Sequence, residues 1–151
     1  MIIQYQPEGG ELQRLDAGRL RASEIQIIER TADGRWAEIK EAMGEGDINA
    51  LRTVAWALLR RSQPSLRYGE FDPWEGELRA RLDKREVAAY AHRILEAYRD
   101  QPEDLAEAFD ELRGAADDPE TAEAAIADVT DPKGQDTPEP EPEPTASPTG
   151  G

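Results

Sequence analysis

The stretch DINALRTVAWALLRR, residues 47–61, constrains the fold more than any other part of the chain. On a helical wheel of about 100° per residue, Ile48, Leu51, Ala55, Leu58 and Leu59 form one stripe. Val54 widens that stripe on one side and Trp56 falls at its other edge. A helix apolar over more than half its circumference belongs at the centre of a small bundle, not on a surface. Asp47 stands where a side-chain acceptor can cap the first turn, and Arg60 and Arg61 complement the dipole at the last. Pro64 forbids continuation, because the residue before a proline is driven out of the helical region.

After that proline comes SLRYGEFDPWEGELRARLD, residues 65–83, which reads as a loop punctuated by Gly69, Pro73 and Gly76. It carries Tyr68, Phe71 and Trp74, each three residues from the next. Two readings stand. The aromatics fold back as a lid on the Trp56 side of the central helix, or they form an exposed handle for a partner, since Trp and Tyr dominate binding hot spots. The candidate partner-binding set is therefore Trp56, Tyr68, Phe71 and Trp74. Tyr90 and Tyr98 face the same choice further on, whereas Trp36 is expected in the core.

The remaining pattern sets the architecture. Ile2, Ile3 and Tyr5 supply β-formers, Pro7 to Gly10 a turn, and Glu11 to Leu15, alternating with Leu12, a returning strand. A first helix is expected from Ser23, with Gln26 completing a capping box and Ile25 and Ile28 on one face; Asp33-Gly34 ends it. Trp36, Ile39 and Met43 mark a short second helix, stopped by Gly44 and Gly46. Beyond the loop, KREVAAYAHRILEAYRD places Val87, Ala91, Ile94 and Tyr98 on one stripe. Pro102 opens a weaker helix with Leu105, Phe109 and Leu112, and Pro119 opens an alanine-rich one over Ala122 to Val129, poorly able to anchor itself. From Pro132 onward proline alternates with glutamate, a composition that cannot bury a core and leans toward extended structure. The expected fold is mainly α. It comprises a β-hairpin over 1–18, a small helical bundle as core domain over 19–100, peripheral acidic helices over 101–131 and a disordered, acidic Pro/Glu-rich tail over 132–151.

Charge sharpens this division. The net charge of −15 is uneven: residues 1–100 hold 16 Lys and Arg against 18 Asp and Glu, while residues 101–151 hold 2 against 15. A near-neutral domain with an acidic C-terminal third argues against direct nucleic-acid binding, which needs clustered positive charge on phosphates. The longest apolar run, Val54 to Leu59, is far too short for a membrane span. The opening MIIQYQPEGG has no basic start followed by an apolar run, so no secretory signal is expected. The absence of cysteine excludes disulfides, thiolate metal sites and cysteine nucleophiles, and fits a reducing cytoplasm.

No catalytic constellation emerges. His92 is the single histidine and stands on a predicted helix, where a surface role is the plain reading. Glu75 with Glu77, and Asp117 with Asp118, match no EF-hand spacing and read as solvated acidic surface. Gly9-Gly10 and the Gly44/Gly46 pair are turn glycines without the strand-to-helix context of a phosphate cradle. The expectation is a protein without catalytic residues, metal or cofactor.

The order of motifs resembles a family. Glu24, Ile28, Glu29, Arg30, Thr31 and Trp36, then Gly46, Asp47, Ala50, Leu51, Arg52, Trp56, Leu59, Arg60, Arg61 and Pro64, then Phe71 and Asp72, are similar to the successive motifs of tail assembly chaperones from long-tailed phages that infect actinobacteria. The family glycine falls near Gly34, displaced by Ala32-Asp33, and the resemblance spans about residues 12–75. It implies a helical, non-catalytic assembly factor that binds the tape measure protein, keeps it soluble and helps tail tube protein polymerise around it. It further implies residence in the cytoplasm of the infected host and absence from the finished virion, and many members also have a longer form made by ribosomal frameshifting. The residues suit that role: the 47–74 segment offers an apolar surface, and the acidic tail offers solvation and charge repulsion. Two other readings are a small virion structural or head-tail adaptor protein, and an acidic DNA mimic that inhibits a DNA-binding protein. Mimicry needs charges on a rigid scaffold, and the sequence reading puts most of them on a flexible end.

Overall fold

The computed structural model describes residues 1–131; the expected Pro/Glu tail, 132–151, lies outside the described residues. The hairpin forms as expected. β1 (Ile2–Tyr5) pairs antiparallel with β2 (Gln13–Asp16), Ile3 opposite Leu15, across a turn in which Gly9 takes a φ of 71°. The expected loop 65–83, however, ends in a strand. β3 (Leu78–Arg81) pairs antiparallel with the other edge of β1, Ile3 opposite Ala80, giving the order β2-β1-β3. Leu78 is buried and Arg79 exposed, a period-two alternation. It lacks β-branched residues, and its partner strand lies at the far end of the sequence, so local pattern alone does not reveal it.

Helix α1 (Ala22–Ala32) begins earlier than Ser23. Arg21 is the capping residue, and the Glu24 carboxylate accepts its backbone N–H at 2.7 Å. Glutamate at the third helical position therefore decides the start, with Ser23 already inside the first turn. Asp33 closes the helix in the left-handed region, φ 52°. Helix α2 (Trp36–Gly44) buries Ile39 and Met43, and Trp36 donates its backbone N–H to Glu29 Oε1 at 2.8 Å. Helix α3 (Ile48–Leu59) is the expected central helix. Asp47 caps it by accepting from Ala50 N–H at 2.8 Å, and every residue from Thr53 to Leu59 is buried. Thr53, polar inside this core, is satisfied by donating to the Asn49 carbonyl at 2.8 Å.

Helices α4 (Lys84–Tyr98), α5 (Pro102–Ala115) and α6 (Pro119–Thr130) follow the sequence expectation closely, with Asp83 and Asp118 as caps and prolines opening the last two. Their packing does not follow it. The apolar interior falls into two clusters. One joins the sheet, α1 to α3 and the loop; the other joins Val87 and Ala91 of α4 to Phe109, Leu112, Ala122, Ile126 and Val129 of α5 and α6. The second cluster thus draws on residues from both sides of residue 100, the expected edge of the core domain. The reason is surface supply: α3 is already covered by α1, α2 and the sheet, so α4 turns its Val87–Ala91 face to the two later helices. The alanine-rich α6 is held by that fit, since Ala122 and Ala125 let it approach α4 closely.

Polar contacts join the two clusters. Leu82 bridges to Ala116, Gln4 Nε2 donates to Asp117 at 2.7 Å, Arg14 pairs with the same carboxylate at 3.2 Å, and Arg81 Nη1 donates to the Gly114 carbonyl at 2.7 Å. Among the described residues no helix is long and apolar enough to cross a membrane.

Candidate functional site

The four candidate residues separate. Trp56 is 7% exposed, and its indole N–H donates to the Leu66 carbonyl at 3.0 Å. Tyr68, half-buried, meets it edge-to-face at 5.4 Å between ring centroids. Phe71 is 5% exposed and packs edge-to-face on Tyr5 at 5.3 Å. The loop therefore does fold back over the central helix, as the lid reading holds. A side chain not in either reading's set fastens it. Arg52 donates from Nε to the Phe71 carbonyl at 2.7 Å and from Nη2 to the Tyr68 carbonyl at 3.0 Å, with its guanidinium 4.2 Å from the Tyr68 ring. An arginine fork suits two carbonyls at once, and the flat ring beside it adds a cation–π contact.

Trp74 does not join the lid. It is 75% exposed, on a short 3-10 turn (Glu75–Glu77) pinned by two hydrogen bonds of 2.9 Å: Trp74 N–H to Glu77 Oε2 and Glu77 N–H to the Trp74 carbonyl. Of the four, burial takes Trp56 and Phe71 out of reach of a partner in this conformation, Tyr68 is partly covered, and Trp74 is presented to solvent.

A second aromatic surface lies on α4. Tyr98, expected on the buried stripe, is 37% exposed, and Tyr90 is 41% exposed. With Ile94 they form an i, i+4, i+8 row facing Ala108, Leu112 and Ala115 of α5 across an open groove of about 500 Å³. The guanidinium of Arg93 lies 4.2 Å from the Tyr90 ring. The 90-94-98 spacing was visible in the sequence as a row beside the 87-91-94-98 stripe. What the sequence did not carry is that α5 stands alongside it without filling it.

The polar candidates are occupied by structure. Glu77 accepts from Trp74 N–H and from Glu8 N–H at 2.8 Å; Asp117 takes Gln4 and Arg14; Asp118 caps α6, accepting from the Thr121 hydroxyl at 2.8 Å and from Glu120 N–H at 3.1 Å. Those bonds, the Thr121 hydroxyl foremost, hold Asp118 below the usual carboxylate range. His92 is exposed on the rim of a shallow cleft of about 380 Å³ between α4 and α6, beside Lys84, Asp118 and Asp128. Among the described residues no group of three or more His, Asp or Glu side chains is placed to hold a metal ion.

The acidic charge, however, is mostly not on the tail. Of the 15 acidic residues in 101–151, 11 lie in 101–131, on or beside α5 and α6, with Arg113 as the one Lys or Arg of that stretch. Arg113 is engaged by Asp110 at 2.5 Å and Glu123 at 2.6 Å. The chain matches no protein-family model, no curated protein and no solved structure.

Proposed function

We propose that this chain is a non-catalytic assembly factor that works by holding another protein. On the strength of its motifs, we assign it as a tail assembly chaperone of a long-tailed phage that binds the tape measure protein and promotes tail tube assembly in the host cytoplasm. The observation that supports this most is the exposure of Trp74, Tyr90 and Tyr98, which with Leu12 are the large hydrophobic side chains left exposed among the described residues. Large aromatics held in water by rigid elements are the usual anchors of protein interfaces. A tape measure protein displays long amphipathic helices before its tube forms, and a folded, strongly anionic body with apolar contact points keeps such helices from aggregating. Co-expression with the tape measure protein from the same genome should raise that protein's soluble yield and allow recovery of the pair. Yield and recovery equal to those with an unrelated acidic protein would sink the reading. Mass spectrometry of purified virions should find the chain missing; a fixed copy number there would make it an adaptor instead.

One observation favours the acidic-mimic reading more than the sequence did: most of the C-terminal charge rides on packed helices, the rigid scaffold that mimicry needs. It predicts that the chain competes with duplex DNA for a DNA-binding protein, with or without residues 132–151. Failure to displace DNA from host nucleases and repressors removes it.

A further inference from the structure

We infer that the groove between α4 and α5 is a docking site for one cationic, amphipathic helix of a partner protein. The inference rests on the reading that the chain works by holding a protein, and not on the phage assignment.

The groove is apolar along its floor; two helices form its walls, and Met1, Gly44 and Ala80 to Leu82, at the end of β3, also line it. Tyr90, Ile94 and Tyr98 form one wall, and Ala108, Leu112 and Ala115 the other. The tyrosine row covers eight residues, about 12 Å of helix axis. Small residues on the α5 wall leave the width, and the two phenol rings supply apolar area with polar tips at the rim. The two helical walls have no free main-chain ladder, and beside them the Leu82 backbone is already bonded to the Ala115 carbonyl and the Asp117 N–H, so the groove is not built to extend a strand. It can take the side chains that another helix presents at i, i+4 and i+7.

Charge selects the occupant. Glu111 lines the groove, and Asp104 and Glu107 lie on the same face of α5, seven and four residues earlier. All three are exposed, and none enters an ion pair among the described residues. Of the cations that line the groove, the Met1 ammonium is paired with Asp83 and Glu86, and Arg81 is turned to the Gly114 carbonyl; Arg93 lies on the Tyr90 ring, and Arg113 is held by Asp110 and Glu123. An α5 rim of unanswered carboxylates therefore borders an apolar floor. The chain's own segment 132–151 is a poor match, because its sequence is acidic and offers no leucine-like residue for the floor. A second copy is no better: at −15 each, two copies would bring one carboxylate rim against another. A helix with leucine-like residues on one face and Lys or Arg beside them answers both the floor and the rim.

The test uses the full chain and two fluorescent helical peptides of about five turns, identical in their leucine face and flanked by Lys in one and Glu in the other. Anisotropy should show the Lys peptide binding and the Glu peptide not, with affinity falling as salt is raised. Tyr90→Ser with Tyr98→Ser should weaken binding of the Lys peptide about tenfold or more. Trp74→Ser should leave it unchanged. Glu107→Lys with Glu111→Lys, exposed positions outside both cores, should reverse the preference toward the Glu peptide, which keeps the proposal testable should the tyrosine pair fail to fold. Equal binding of both peptides, no binding of either, or binding indifferent to the tyrosine and glutamate changes would overturn the groove. Retained peptide binding with no effect on the tape measure protein would overturn the phage assignment alone. A tape measure protein held through Trp74 and not through Tyr90 and Tyr98 would overturn the groove alone.

Discussion

The two apolar clusters of this chain are built on opposite plans. The first wraps a sheet, two helices and an aromatic lid around α3, and fills its interior with Ile3, Ile28, Met43, Leu51, Val54 and Trp56. The second sets three helices side by side and fills much of its interior with alanine. Large side chains pack around a helix buried over most of its surface, so the first cluster has closed over Trp56 and Phe71 and leaves Trp74 of the same loop in water. Alanine allows helices to come close but buries little area per residue, so the second cluster ends with an aromatic row uncovered. The surface that can act on a partner follows from what each cluster fails to cover.

The largest test of this contrast is a pair of truncations. Leu51→Ala should cost about 2–5 kcal/mol, because Leu51 is 2% exposed inside the first cluster, where packed neighbours cannot collapse around the void. Leu112→Ala, beside the open groove, should fall at the low end of that range. Denaturant midpoints with unchanged slopes check both, and equal losses would break the comparison.

Next comes Arg52→Ala, which leaves the Phe71 and Tyr68 carbonyls without their donor and should cost about 1–3 kcal/mol. It should also loosen the lid, read as increased acrylamide quenching of the buried Trp56 in a chain whose Trp36 and Trp74 are replaced by Phe. Arg52→Lys should restore little, since an ammonium cannot fork to two carbonyls and lie on a ring.

A smaller effect belongs to Glu24, which accepts from Arg61 at 2.6 and 2.7 Å and from Arg21 N–H. The Arg61 hydrogen bonds hold its carboxyl below the ordinary glutamate value of 4.5. A carboxylate with a lowered folded-state pKa contributes stability above its unfolded value, and that contribution is lost as pH falls through the folded value. Arg61 is largely exposed, so the pair should contribute less than about 1 kcal/mol. Glu24→Gln should therefore lower the melting temperature slightly at neutral pH, and the gap to the parent chain should close on acidification below 4.5. A gap that widens in acid would contradict this pairing.

The smallest effect on the fold should come from Trp74→Ser, expected within about 0.5 kcal/mol of the parent, because its side chain is in water. A loss of several times that would mean that Trp74 supports the first cluster.

Much of this molecule was legible without coordinates. Asp47 as cap, the broad apolar face of α3, and prolines at 102 and 119 opening α5 and α6 are local rules that a helix obeys wherever it sits. Where two local signals compete, the less obvious one wins: Ser23 has a capping side chain, but Glu24 reaches back to the Arg21 N–H and sets the start. β3 was hidden for a different reason. Leu78-Arg79-Ala80-Arg81 becomes a strand because β1 offers it a free edge, and edges belong to the assembled sheet.

The candidate site divides along the same line. By itself the sequence determined which residues are aromatic, which face of each helix they occupy and where the acidic charge accumulates. Only the tertiary structure decided that Trp56 and Phe71 are enclosed, that Arg52 ties down their loop, and that Trp74, Tyr90 and Tyr98 are left in water. Periodicity specifies a side chain's direction from its own backbone. Whether another element lies in that direction depends on contacts between residues far apart in the chain, and no local pattern records them.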